Sequence, residues 1–151
     1  MEREFRISAG AIVIQEDKIL LVRYINSFGK SFLVGPGGGV LINEGTNQAV
    51  IREVREETSL EVSPYRVLFI EDLLSQRHRI TKIWFLCNLV GGQLVITKNA
   101  IEEGITEVGW YRRDQLHSEV VYPTALLSHK WGAFFKDNWQ TIYIGLQNTD
   151  F

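Results

Sequence analysis

Gly38-Gly39-Val40-Leu41-Ile42-Asn43-Glu44-Gly45-Thr46-Asn47-Gln48-Ala49-Val50-Ile51-Arg52-Glu53-Val54-Arg55-Glu56-Glu57-Thr58-Ser59-Leu60 decides how the rest of this chain is read. From Thr46 to about Thr58 the pattern predicts a helix, with Thr46 as the N-cap whose hydroxyl accepts a first-turn amide. With about 100° per residue and Val50 at zero, Val54 falls at about 40°, Thr58 at about 80° and Ile51 at about 100°. Those positions form the stripe that faces the core. Glu57 falls at about −20°, Glu53 at about −60° and Glu56 at about −120°, so an acidic patch runs into the edge of the buried stripe. Like charges one helical turn apart destabilise a helix by about 0.2–0.5 kcal/mol per pair, and partial burial adds to this. A hard divalent cation, Mg²⁺ or Mn²⁺, would offset the repulsion, because such ions prefer carboxylate, water and phosphate oxygens. A solvated glutamate face, with Arg52 and Arg55 as counter-charges, is the other reading of the same residues. The place of Glu57 beside Val50 and Val54 favours the cation.

Immediately upstream, Gly35-Pro36-Gly37-Gly38-Gly39 is too compact for a regular element. It reads either as a plain turn or as a loop that brings backbone close to a bound ion or phosphate. Further out, Phe5 to Val13 alternates as a strand does, Glu16-Asp17 reads as a turn, and Ile19-Leu20-Leu21-Val22 reads as a buried strand. Phe32-Leu33-Val34 enters the glycine cluster as another. Downstream, strands are predicted over Tyr65–Leu74, Ile80–Val90 (closed by a Gly91-Gly92 turn) and Glu107–Arg112. A last helix is predicted from Tyr122-Pro123-Thr124 to about Phe135, and Thr141–Leu146 reads as a short strand or an ordered tail. Strands, a helix, strands and a second helix describe an α+β domain with a mixed sheet.

Composition narrows the classes. The 151 residues fit one domain over residues 1–151, long enough to bury a core without staples. Eight Phe, five Tyr and four Trp exclude a globally disordered chain. Apolar runs of four or five residues fall far short of a membrane span. A net charge of −2 offers no strongly basic face for nucleic acid. Met1-Glu2-Arg3-Glu4-Phe5 lacks the basic leader and apolar stretch of a signal peptide. The lone Cys87 in an apolar stretch points to a reducing, cytoplasmic compartment.

The opening stretch also resembles a known signature. Gly38, five residues, Glu44, seven residues, then Arg52-Glu53-Val54-Arg55-Glu56-Glu57-Thr58-Ser59-Leu60, entered through Pro36-Gly37, resembles the Nudix box of the MutT-like Nudix hydrolases. The match covers about a sixth of the chain and departs at one fixed position, Ser59, where the family usually has glycine. That position closes the helix, where a left-handed residue is common, and serine should cost about 1 kcal/mol there. Gly35 stands where many relatives carry leucine.

The resemblance implies the Nudix-type α/β/α sandwich with a mixed β-sheet. It implies a Mg²⁺-dependent (or Mn²⁺-dependent) hydrolase that cleaves the pyrophosphate bond of a nucleoside diphosphate linked to another group. Nucleoside triphosphates and ADP-ribose-like compounds fit that description. The alternative is a non-catalytic nucleotide-sensing module of the same fold. By resemblance Glu53, Glu56 and Glu57 hold the metal, a backbone carbonyl of Gly37 or Gly38 adds a ligand, Glu44 steadies the loop or the outer metal shell, and Arg52 orients the glutamates. Glu103, with Glu102 in an acidic loop before the late strand, is either a further ligand or base, or part of a solvated turn. Arg23 ends a buried strand where relatives often present an arginine to the substrate. Arg77 and Arg79, around His78, either meet phosphates or are solvated turn charges. Tyr24, Phe28 and Phe32 either stack on a base or pack in the structure, and Trp131, Phe134 and Phe135 read as core. A small-molecule, nucleotide-derived substrate is implied as the partner, and a homodimer is compatible with the family.

Overall fold

Strand β1 (Glu4–Gln15) belongs to two wings of one bent, nine-stranded sheet. Over Glu4–Val13 it pairs in parallel with β6 (His78–Gly92), which continues to β5 (Leu60–Leu74) and β9 (Ile142–Asn148). On its other side, Ser8–Gly10 pairs with β4 (Gly37–Gly39). At its far end Ile14 pairs with Ile19 of β2 (Lys18–Ile25), through a turn in which Glu16 and Asp17 have φ of 51° and 63°. Strand β2 then lies between β3 (Ser31–Val34) and β7 (Ile105–Arg112), and β3 pairs with β8 (Val121–Tyr122). Parallel and antiparallel pairs together make the sheet mixed. The structure is a computed structural model and describes residues 2–149; Met1, which opens the N-terminal stretch read above, and Asp150 and Phe151 lie outside the described residues.

Alternation along β1 sends its side chains to two cores. Ala9, Ala11 and Val13 meet Ala49, Val50 and Val54 of helix α1 (Thr46–Thr58). Ile12 faces the opposite layer, with Phe69, Trp84, Leu126, Trp131 and Phe134. The stripe predicted for the helix is therefore the packed one, and the helix spans the predicted residues. Its N-cap is Gly45 rather than Thr46. Gly45 is extended and donates its N–H to Gln48 Oε1 (2.7 Å), which leaves Thr46 as the first helical residue.

Several expectations change. The glycine cluster is partly regular, because β1 offers unpaired backbone groups and Gly37 can lie against the Ala9 carbonyl where a Cβ would clash. Gly91 and Gly92 lie inside β6 rather than in a turn after it. The predicted last helix is two short 3₁₀ turns, Thr124–Ser128 and Trp131–Phe135, separated by extended His129 and Lys130. On one straight helix Leu126, Trp131 and Phe134 would spread over about 140°, whereas two separate turns let all three reach the same core. Phe135, expected in the core, is exposed. A short helix, α2 (Lys98–Glu102), was not predicted; Thr97 caps it by accepting the Ala100 amide (3.0 Å). Among the described residues no helix is long and apolar enough to cross a membrane. Burial pushes the Cys87 thiol up to about 12.

Ser59 closes α1 in the left-handed conformation (φ 66°) and donates its N–H to the Arg55 carbonyl (3.0 Å). Ser59→Gly should relieve about 1 kcal/mol and raise Tm by about 2–4 °C in thermal unfolding. A lower Tm would mean that the serine is not strained.

At the outer edge, Asp72 Oδ1 accepts from Arg79 (2.8 Å) and Thr81 (2.7 Å), and Oδ2 accepts from Tyr143 (2.5 Å). The Arg79 guanidinium and these hydroxyls hold the Asp72 carboxyl well below the usual carboxylate range. This contribution is present above the unfolded-state pKa of about 3.9 and is lost as pH falls below it. Acid titration of Asp72→Asn, followed by circular dichroism, should show a shallower loss of stability below about pH 4 than the unmodified chain.

Candidate functional site

The edge of α1 that faces β4 carries the charged residues. Glu53 is buried and Glu57 is fully buried, as their wheel positions beside Val50 and Val54 require. Gly38 makes room for Glu53, since a Cβ there would lie 2.7 Å from its carboxylate. The Gly37 N–H donates to Glu57 Oε2 (3.1 Å), and Glu57 Oε1, also buried, has no hydrogen-bond partner among the described residues. Helix α2 docks on α1 through a hydrogen bond from the Thr97 hydroxyl to the Glu56 carbonyl. The turn that ends α2 brings in Glu103. One carboxylate oxygen from each of Glu53, Glu57 and Glu103 lies within 4.8 Å of the others.

One guanidinium organises this patch. Arg52 Nε and Nη2 donate to Glu44 (3.1 and 2.6 Å), Nη1 donates to Glu53 (2.9 Å) and Glu56 (3.1 Å), and Nη2 also reaches the Gly39 carbonyl (3.0 Å). Arg52 holds the Glu44 carboxyl below the usual range. Arg55, read as a second counter-charge, pairs instead with Glu61 of β5 (2.5 Å). Burial, and then the charges of Glu53 and Glu103, push the Glu57 carboxyl well above the usual range. Glu103 is raised for the same kind of reason, burial first and then Glu53 and Glu56. An acidic cup with an orphaned buried oxygen and a missing Cβ at its wall suits a hard divalent cation.

The predicted residues divide accordingly. Glu53, Glu57 and Glu103 converge. Glu56 sits at the rim on Arg52, and Glu44 anchors Arg52 from outside. Gly37 turns its N–H to the cup and Gly38 packs against Glu53. The open choice at the acidic loop separates its two members, because Glu102 is exposed and near Lys98 (4.0 Å) while Glu103 joins the cup.

The cup opens beside a cleft between the wings. Tyr24, Phe32 and Val34 line one side, Arg6, Ser8, Leu73, Ile80 and Lys82 the other, with Gly35 and Gly37–Gly39 between. Arg23, Arg77 and Arg79 do not line it. Arg23 is tied to Glu107 (2.8 Å), Glu119 (2.9 Å) and Ser31 (2.6 Å), Arg79 is tied to Asp72, and Arg77 is exposed. Phe28 is exposed on the β2–β3 loop. Lys82 escaped sequence reasoning; its one signal was a cation in the middle of an apolar strand.

Comparison with known proteins agrees with this architecture. The family model for the NUDIX domain matches residues 4–131. The ADP-ribose pyrophosphatase of Methanocaldococcus jannaschii is 30% identical over 98 residues, which are 64% of this chain and 58% of that one. The 8-oxo-dGDP phosphatase NUDT18 of Danio rerio is 28% identical over 110 residues, 71% of this chain and 32% of that one. The chain thus spans less than two thirds of the length of either of these relatives. Among solved structures, an ADP-ribose pyrophosphatase from Streptococcus suis superposes with a TM-score of 0.69 and 28% identity, covering 92% of this chain and 98% of that one. A NUDIX hydrolase from Nitrosomonas europaea superposes with a TM-score of 0.72 at 18% identity, covering 99% and 82%, which is a likeness of fold.

A cation in the cup would give Glu57 Oε1 a partner and screen the crowded carboxylates. Millimolar Mg²⁺ or Mn²⁺ added to the metal-free protein should therefore raise Tm by several degrees, as about 2.7 kcal/mol follows at a hundred times Kd. Glu57→Gln should remove that response; an equal rise in the variant would place the ion elsewhere.

Proposed function

Because this chain belongs to the Nudix family, we propose that it is a divalent-cation-dependent pyrophosphohydrolase acting on a nucleoside diphosphate linked to another group. The cup of Glu53, Glu57 and Glu103, with one buried carboxylate oxygen that has no hydrogen-bond partner among the described residues, carries this reading. The names of the relatives from M. jannaschii and D. rerio support a nucleotide-derived substrate, either ADP-ribose-like or a nucleoside di- or triphosphate. The single buried Cys87 supports action in the cytoplasm.

The reaction is hydrolysis of a phosphoric anhydride. A water oxygen bonds to one phosphorus, the bridging P–O bond breaks, and the products are a nucleoside monophosphate and the phosphorylated second group. Glu53, Glu57 and Glu103 would hold Mg²⁺ or Mn²⁺, which when bound would supply charge neutralisation at the diphosphate and acidify a water. The chain does the positioning. Arg52 holds Glu53 and Glu56 in one place, and Glu44 fixes Arg52 in turn. The Gly37 N–H keeps Glu57 Oε2 turned towards β4. The glycines of β4 let a diphosphate approach the backbone without meeting side chains.

Release of nucleoside monophosphate from ADP-ribose and from nucleoside triphosphates, with Mg²⁺ or Mn²⁺, is the direct assay. A chelator should abolish it, Glu57→Gln should lower kcat more than about 100-fold, and Arg52→Lys should cost about 10–100-fold because an ammonium cannot span the same acceptors. Tight nucleotide binding with no turnover on any substrate would instead mark a sensing module.

A further inference from the structure

The sheet face that α1 covers extends past the helix. Along β1, Ala9, Ala11 and Val13 pack against α1, and by alternation Phe5 and Ile7 lie on that same face, nearer the start of the strand. Their neighbours on β6 are Arg79 and Thr81. The loop between β4 and α1 runs beside them, because the Val40 N–H donates to the Ile7 carbonyl (2.9 Å). At its tip stand Leu41 and Ile42. Phe5 is 86% exposed and Ile42 is wholly exposed, while Ile7 and Leu41 are each more than half exposed. A groove lies between the loop and the strand, walled by Phe5, Ile7, Val40, Leu41 and Thr46.

These four large apolar side chains are held out to water by a fixed backbone. The Leu41 N–H donates to Glu44 Oε1 (3.0 Å), and the Glu44 N–H donates back to the Leu41 carbonyl (3.2 Å). Glu44 is held in turn by Arg52. The loop therefore cannot fold its tip inward without breaking the clamp. Such a patch stands at the upper end of the roughly 300–600 Å² that a monomer leaves bare. With its groove walls it is of the order a two-fold contact needs, about 800 Å² per partner. Its charges are settled within the chain, since Arg79 pairs with Asp72 and Glu44 with Arg52. Arg6 alternates to the other face, beside Gly39. The patch thus offers little to steer a strongly charged partner. It does carry both halves of a self-complementary contact, a projecting apolar tip and an apolar groove next to it. A two-fold axis requires that combination, because the same surface must serve as donor and receiver.

We propose that this face is occupied by a second copy of the chain, with the Leu41-Ile42 tip of each copy seated in the groove beside Phe5 and Ile7 of the other. The contact then covers the loop that carries Glu44, the outer anchor of Arg52. The test is light scattering and sedimentation of the unmodified protein, Ile42→Asp, Phe5→Asp and Val90→Asp, from about 1 to 100 µM. It needs no substrate, so its outcome is independent of the hydrolase reading. The unmodified protein should have twice the mass of one chain. Ile42→Asp and Phe5→Asp should each weaken the dimer at least 100-fold in Kd. Both side chains are exposed in the single chain, so circular dichroism should show the fold retained. Val90, exposed on β6 outside this groove, is the control, and Val90→Asp should leave the dimer unchanged. Hydrogen exchange adds a local reading: amides of residues 40–44 should slow with rising concentration in the unmodified protein and not in Ile42→Asp. A single-chain mass at every concentration overturns the proposal and leaves the face to a different protein. A dimer that survives both Ile42→Asp and Phe5→Asp, or that Val90→Asp disrupts equally, places the contact elsewhere and also overturns it.

Discussion

The contacts of Arg52 are the constraint on which the site depends. Its planar fork reaches Glu44, Glu53, Glu56 and the Gly39 carbonyl at once, and so joins the loop, the helix and β4. Like charges on one helical face repel, and left alone they would splay into solvent. A guanidinium can hold several of them because its donors are fixed in one plane, whereas an ammonium on a flexible stem cannot. The clamp leaves Glu57 free of it, fully buried, with one oxygen on the Gly37 amide and the other without a hydrogen-bond partner among the described residues. The cup is therefore arranged in advance, and a cation there would offset the crowding of its carboxylates.

The bent sheet places that cup beside a cleft. Because β1 pairs with β4 and β6 along its first part and with β2 at its end, the two wings part just where the glycine strand lies. The Nudix helix covers one face of the sheet, and the 3₁₀ turns cover the other. Small residues set the spacing. Gly38 lets Glu53 approach, and Gly10 and Gly35 make room for the Trp84 ring. A side chain at any of these positions would collide with the groups packed there.

Much of this was readable from residue order. The wheel placed Glu53 and Glu57 at the margin of the buried stripe because helical periodicity is a local rule, and burial follows it. Most strands followed from alternation and apolar runs for the same reason. Reading failed where a long-range partner decided the outcome. The glycine run became strand only because β1 offered it a free edge. The late helix broke because Leu126, Trp131 and Phe134 had to enter one core. Arg23 carries a charge in sequence like any other arginine, but Glu107 and Glu119, distant along the chain, occupy it.

By itself, then, residue order determined the helix, its acidic edge, the clamp carried within it and the family it resembles, since all of these lie within a few turns of chain. Only the tertiary structure decided that Glu103 completes the cup, that Glu102 does not, and that Lys82 stands opposite Tyr24 and Phe32. Those groups come from separate strands and loops, and the register of the sheet, which no local pattern encodes, brings them within reach of one another.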